Sequence, residues 1–293
     1  MLNLYKTVVS QENSQPTLSE GEKLSVFYHD LFDFPLNLQE LIRWRLAEDF
    51  SNTELATQVL HRNGYFFIEG KEGVVYKRTL RKRISDKKIE IAKKASKVLS
   101  LVPGVLMVAV TGSLAMDNAA DESDIDLMIV TKSGRLWTTR LLSYSLTKIF
   151  GIETRRSGDK DQKDKLCMNI WLDESDLKWT KNRNIYTAHE IAQIKPILSK
   201  ENTYERFLFE NRWILRYWPN SVKVKRIAIS DKRLEKSLFA NGYLLITWFV
   251  EKLAFWIQLE HMKSRITREV VTPTRALFHP QDWSGVVLSR FSS

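Results

Sequence analysis

Apolar positions recur at helical spacing near the start of the chain. Leu24, Phe27, Tyr28, Leu31 and Phe32 form one stripe, and Asp33-Phe34-Pro35 ends it, because proline cannot continue a helix. Leu38, Leu41, Ile42 and Leu46 mark a second helix. Ser51 suits the N-cap of a third, with Glu54 placed as in a capping box and Leu55, Val59 and Leu60 on its apolar face. Two apolar runs, Tyr65 to Ile68 and Val74 to Tyr76, then flank Glu69-Gly70-Lys71-Glu72-Gly73, which predicts a hairpin. Three helices followed by a hairpin is the order of a winged helix-turn-helix.

Further along, Lys87 to Leu101 reads as a connecting helix that leads through Pro103-Gly104 into the continuous apolar run Val105 to Val110, a buried strand. Leu127 to Val130 is another strand, and Leu136 to Phe150 a helix with a mixed aliphatic face. Gly151 to Arg155 and Leu166 to Leu172 predict two more strands across a charged connection. From Tyr186 onward the pattern is mostly helical: Ala188 to Ala192, Tyr204 to Trp218 and Leu234 to Arg268, with breaks at Pro196, Pro219 and Pro273. The expected class is α+β, a small mixed sheet with helices, preceded by a winged-helix-like domain and followed by a helical C-terminal domain. The expected boundaries are a polar tail over 1–18, then 19–84, 85–185 and 186–293.

A chain of 293 residues with 43% apolar and 11% aromatic content can fill two or three real cores. Its start is polar, without the pattern of a signal peptide. Tyr243 to Leu259 contains Glu251 and Lys252 and is shorter than a bilayer requires, so an aromatic-rich amphipathic or buried helix is expected and no membrane association. The one cysteine, Cys167, excludes an internal disulfide and fits a cytoplasmic location; its apolar run suggests a packed core thiol.

The formal charge is +10, and Lys77 to Lys97 alone carries ten Lys or Arg against Asp86 and Glu90. Such a segment is either the solvated face of a domain connector or a binder of phosphate or nucleic acid. The third-helix face, with Asn52, Glu54, Gln58 and Arg62, is not strongly basic, so a nucleic-acid partner is possible but not favoured.

The chemistry concentrates in residues 110 to 130. Thr111-Gly112-Ser113 follows the first apolar strand, and a glycine with a serine hydroxyl beside it suits close approach of a phosphate. Ten residues after Ser113 comes Asp124-Ile125-Asp126. In a strand the two aspartates share one face, roughly 7 Å apart, and repel by about 2 kcal/mol at an effective dielectric near 20, so a compensating cation is expected. Mg²⁺ is the natural candidate.

This combination resembles the signature of the polymerase β-like nucleotidyltransferase superfamily, and Phe34-Pro35 through the motif is similar to bacterial members with an N-terminal winged-helix-like domain. The resemblance implies that Gly112, Ser113 and Ser123 bind the nucleotide and that Asp124 and Asp126 are catalytic and hold Mg²⁺ or Mn²⁺. It also implies a third carboxylate on a later strand, where this chain has Asn169. Asparagine can coordinate a cation but cannot act as a base. Asp173 and Glu153 are candidate replacements.

The implied activity is metal-dependent transfer of a nucleoside monophosphate from a nucleoside triphosphate to an unspecified small or macromolecular acceptor, with release of pyrophosphate. The missing carboxylate leaves open a weakened nucleotide-binding regulator or scaffold. Modification of a partner protein is a further alternative. Arg135 and Arg140 flank Trp137 within reach of a triphosphate. Other chemistries fail: His189-Glu190 lacks the second histidine of a zinc protease, the five histidines are scattered, and no glycine spacing gives a Walker loop.

Overall fold

The computed structural model describes residues 17–47, 58–155, 158–159, 161–225, 238–263, 269–278 and 283–291. The chain opens with helix α1 (Glu20–Asp30), where Ser19 and Glu22 form a capping box. A short strand β1 (Leu36–Asn37) leads into α2 (Leu38–Arg43), and Asn37 caps that helix by accepting from the Glu40 amide at 2.9 Å. The expected cap of a third helix, Ser51 with Glu54 and Leu55, lies outside the described residues.

The hairpin sits earlier than the pattern suggested. Strands β2 (Val59–Arg62) and β3 (Tyr65–Ile68) join through Asn63-Gly64, whose φ values of +52° and +78° are what a two-residue hairpin turn demands. Val59 and Leu60 are therefore strand residues, where a third helix was expected to include them. Val74 to Tyr76 open helix α3 (Gly73–Leu99) and form no strand. Strand β1 completes an antiparallel sheet in the order β1-β3-β2.

Helix α3 contains the whole basic segment and runs unbroken through the expected 84/85 boundary. Much of its charge is engaged. The Arg78 guanidinium donates to Glu40 Oε1 (2.6 Å) and to the carbonyls of Met116 and Asp117. Lys88, fully buried, donates to Asp164 Oδ1 (2.7 Å) and to the carbonyls of Asp121 and Ser123. Lys77 pairs with Asp33, and Lys82 with Asp86.

A six-stranded mixed sheet follows. Its members are β4 (Val105–Val110), β5 (Ile125–Thr131), β6 (Leu166–Asp173), β7 (Lys195–Ser199), β8 (Val270–Thr272) and β9 (Arg275–Leu277), in the order β7-β4-β5-β6-β9-β8. Among the described strands only β5 and β6 run parallel, and α5 (Leu136–Ile149) lies between them in the chain. A single turn, α4 (Gly112–Ala115), follows β4. Residues 151–155 supply a bridge from Thr154 to Leu166 where a full strand was expected. Strands β7, β8 and β9 come from beyond Tyr186, so the predominantly helical pattern there hides three sheet members.

Alternation divides the core into two layers. Met107, Ala109, Met128, Val130, Ile170 and Leu172 face one side, in one cluster with Leu24, Tyr28, Leu41 and Trp44 of the N-terminal unit. Val108, Val110, Leu127, Ile129 and Trp171 face the other, against Ala92, Ala95 and Leu99 of α3 and Trp137 of α5. The N-terminal unit thus packs directly on the sheet, with helices α6 (Ile185–Gln193) and α7 (Thr203–Glu210) and a 3-10 turn over Arg212–Arg216 beside it.

Helix α8 (Leu238–Lys263) lies along α5. Its Glu251 carboxylate accepts from the Trp137 and Thr138 amides at 2.5 and 2.9 Å, which caps the start of α5 with negative charge. Trp248, Phe249, Leu253, Trp256 and Ile257 are exposed, so the helix is neither buried nor amphipathic with a polar outer face: its open side is apolar. No described helix is long and apolar enough to cross a membrane. The last helix, α9 (Trp283–Phe291), packs on α6.

Candidate active site

Strand pairing builds the site. Val110 pairs with Leu127, so the turn after β4 lands against the start of β5, and the Thr111 amide donates to the Asp126 carbonyl at 3.1 Å. Gly112 has φ +60°, and a Cβ there would lie 2.9 Å from Asp126 Oδ2. Glycine is required twice, by backbone conformation and by the carboxylate pressed on it. Ile125 is buried between Asp124 and Asp126, which leaves both carboxylates on the opposite face.

Across the parallel pair, Asp126 sits beside Cys167, and a bulge in β6 follows, so that Met128 is next paired with Ile170. The bulge brings Asn169 to Asp126, and its Nδ2 donates to Asp126 Oδ1 at 2.7 Å. Asn169 Oδ1 is buried and has no hydrogen-bond partner among the described residues; the same is true of Thr111 Oγ1. Asp124, Asp126 and Cys167 each offer a donor atom, all within 4.8 Å of one another. The Arg155 guanidinium donates to Asp124 Oδ2 at 2.7 Å, with Cys167 Sγ 3.9 Å away.

These groups line a cavity of about 790 Å³, within the size range of small-ligand sites. Ser113 and Ser123 are on its wall, and the Ser123 hydroxyl donates to the Ala120 carbonyl at 2.8 Å. The opposite wall comes from α1, α6 and α9, and includes Glu190. Glu190 accepts from Gln193 Nε2 at 2.7 Å, and the same amide reaches the Gly112 carbonyl at 3.4 Å.

The electrostatics are those of half-buried acids facing one cavity. Burial, then the Asp124 charge, pushes the Asp126 carboxyl up to about 7. Burial, then the Asp126 charge, does the same to Glu190, also to about 7. Burial and both aspartates raise the Cys167 thiol.

The sequence reading placed Cys167 in the packed core; it stands instead at the carboxylate pair. Its position two residues before Asn169 on one strand was the available signal. In the sequence Glu190 falls within a failed zinc motif and Arg155 within a predicted strand, and neither pattern marks a site residue.

The proposed replacements for the third carboxylate are corrected. Asp173 is fully buried at the far end of β6, where it accepts from the Gly134 and Ser175 amides. Glu153 is exposed and does not line the cavity. Arg140 donates to Gln258 and lies over the Tyr144 and Phe278 rings, so it is a packing residue and not a phosphate ligand. His29 and His189, apparently scattered, meet Nε2 to Nε2 at 3.1 Å.

Residues 89–228, which contain the Gly-Ser turn, both aspartates, Cys167, Asn169 and Glu190, match the family model for a nucleotidyltransferase domain. This similarity supports nucleotidyl transfer in general as the chemistry of the domain. No curated protein and no solved structure matches the chain.

Proposed function

We propose that the protein is a divalent-metal-dependent nucleotidyltransferase. The observation that carries this reading is the three-donor cluster of Asp124, Asp126 and Cys167, set beside the Gly112-Ser113 turn on one wall of a nucleotide-sized cavity. The donor set fits a cation. Its two carboxylates offer the hard oxygens that Mg²⁺ or Mn²⁺ uses, the protonated Cys167 thiol borders the place without ligating such an ion, and the buried Asn169 Oδ1, with no hydrogen-bond partner among the described residues, stands close by. When bound, the cation would screen the triphosphate's charge and polarise its α-phosphate.

The chain's own groups do the rest. Gly112 and Ser113 lie where phosphates would pass, with Ser123 beside Asp124, and Asn169 fixes the orientation of Asp126. An acceptor oxygen attacks the α-phosphorus, the bond to the bridging oxygen breaks, and pyrophosphate leaves. Glu190 takes the acceptor's proton, since it faces the same cavity and its burial tunes it to the range a general base needs.

The helix, short strand, helix and hairpin order over residues 20–68, with its β1-β3-β2 sheet, supports a winged-helix-like unit. His29, Phe32 and Phe34 of that unit line the cavity, so we assign it to substrate positioning in preference to DNA binding. We place the protein in the cytoplasm, where the one cysteine, Cys167, would stay reduced in the site.

One feature favours the regulator alternative: Asn169, an amide, stands where the resemblance implies a third carboxylate. The deciding experiment incubates full-length protein with each labelled triphosphate, Mg²⁺ or Mn²⁺, and cell extract as acceptor source. Transfer by the wild type and its loss in Asp124→Asn with Asp126→Asn supports the enzyme. Metal-dependent nucleotide binding without transfer supports the regulator.

A further inference from the structure

We propose that Arg155 is an exchange residue: its guanidinium neutralises Asp124 until a divalent cation occupies the carboxylate pair, and then it pairs with phosphate oxygens of the nucleotide. The inference rests on the metal-dependent reading above. It starts from position. Arg155 Nη1 lies 2.7 Å from Asp124 Oδ2 and 3.9 Å from Cys167 Sγ, so it touches two of the three groups that would surround a cation.

A guanidinium and a metal ion cannot both keep that place. Like charges at contact distance repel, and each Asp124 lone pair given to nitrogen is withheld from the metal. The arginine is equipped to leave. Its side chain is 28% exposed while that of Asp124 is 12% exposed, so the charged head is reached from the cavity and is not locked in the core. Its backbone is held, because the Arg155 amide donates to the Leu166 carbonyl at 2.8 Å. The long stem can therefore pivot about a fixed point.

The destination follows from the cavity. Arg155, Gly112 and Ser113 line the same space, and a planar guanidinium matches phosphate oxygens in bidentate fashion. A triphosphate that arrives with its cation supplies both halves of the exchange, a dication for Asp124 and an anion for Arg155. Nucleotide and metal then bind cooperatively, because each removes the partner that blocks the other.

The test measures Mn²⁺ binding to the full-length protein by electron paramagnetic resonance, alone and with inorganic tripolyphosphate, a probe that carries the phosphates without a base. In Arg155→Gln, Mn²⁺ alone is expected to bind about tenfold tighter, while tripolyphosphate at saturating Mn²⁺ binds about tenfold weaker, the size of one lost charge-assisted contact. Arg155→Met, which retains the apolar stem, serves if the glutamine variant does not fold. Unchanged or weaker Mn²⁺ affinity, or unchanged tripolyphosphate affinity, overturns the exchange. Equal Mn²⁺ binding by wild type and by Asp124→Asn with Asp126→Asn removes the carboxylate metal site and the exchange with it. Carboxylate-dependent binding that ignores Arg155 removes the exchange alone.

Discussion

Asn169 donates from Nδ2 to Asp126 Oδ1 at 2.7 Å, and its own carbonyl oxygen is left buried without a hydrogen-bond partner among the described residues. The amide does half of what a third carboxylate would do. It orients Asp126 and offers one further oxygen, yet adds no negative charge and takes no proton.

Asn169→Asp therefore separates the two functional readings. In metal-free protein it replaces a donated hydrogen bond by a third negative charge, so thermal stability is expected to fall, and Mn²⁺ affinity to rise about tenfold. If Glu190 already serves as base, turnover changes less than about tenfold, because the gain of a missing base would be on the order of 10² to 10⁴. An inactive wild type together with a gain of that larger size in Asn169→Asp would establish the regulator.

Gly112→Ala places a Cβ 2.9 Å from Asp126 Oδ2 in a left-handed conformation. The backbone alone costs about 1–2 kcal/mol, and relief of the contact moves the carboxylate. Calorimetry should show a lower melting temperature, and Mn²⁺ titration at least a tenfold weaker site. Ser113→Ala leaves the backbone intact and is expected to retain Mn²⁺ binding; equal metal affinity in Gly112→Ala and wild type would refute the contact's importance.

What was legible in the sequence is what is local. The apolar strand, the Gly-Ser turn and the alternating aspartates lie within about twenty residues, where period and turn chemistry are sufficient. Cys167 enters the site through the strand pairing with Asp126, which periodicity does not determine. Glu190 and the paired histidines depend on how α6 docks, and β8 and β9 are too short, at three residues each, to make a pattern. The misplaced hairpin is different, since Asn63-Gly64 was a readable turn signal that a longer Gly-containing stretch outcompeted.

The basic segment 77–97 is expected to behave as a connector. Arg78 and Lys88 are buried and paired, and Lys77, Lys82 and Lys93 each meet a carboxylate, so half of the segment's ten cations are already engaged and fewer are left to release counterions from DNA. Fluorescence anisotropy with duplex DNA should give weak, sequence-indifferent binding. Tight, sequence-selective binding at physiological salt would overturn this.

His29 and His189 share one proton in a fixed order. His29 Nδ1–H donates to the Ser25 carbonyl at 2.7 Å, which leaves its Nε2 to accept from His189 Nε2–H at 3.1 Å. Burial lowers His29 to about 3 and takes His189 well below its ordinary range, aided by the charges of its neighbours. Both groups favour the fold while neutral, so this stability is present above about pH 6.5 and is lost as pH falls toward the folded value. Proton NMR should find neither ring titrating between pH 7 and 5 in native protein; a midpoint near 6.5 for either would contradict the pairing.

Glu190→Gln tests the proposed base and its sign together. In metal-free protein Asp126 and Glu190 both titrate near 7, above their ordinary values. Wild-type transfer should therefore rise with pH to a plateau, since metal binding needs ionised Asp126 and proton abstraction needs ionised Glu190, with the bound cation bringing the midpoint below the metal-free value. Glu190→Gln is expected to lower kcat by about 10² to 10⁴ while KM for the triphosphate stays within a few-fold. Stability moves the other way. A folded pKa raised above the unfolded one contributes stability at low pH that is lost as pH climbs through about 4 to 7, so the metal-free wild type should weaken relative to Glu190→Gln over that window, by up to about 3 kcal/mol. Comparison of the two proteins by urea denaturation at pH 5 and pH 8 cancels the opposing histidine contribution. A parallel pH dependence in both would mean that Glu190 is ionised throughout, and a kcat unchanged in Glu190→Gln would remove it as the base.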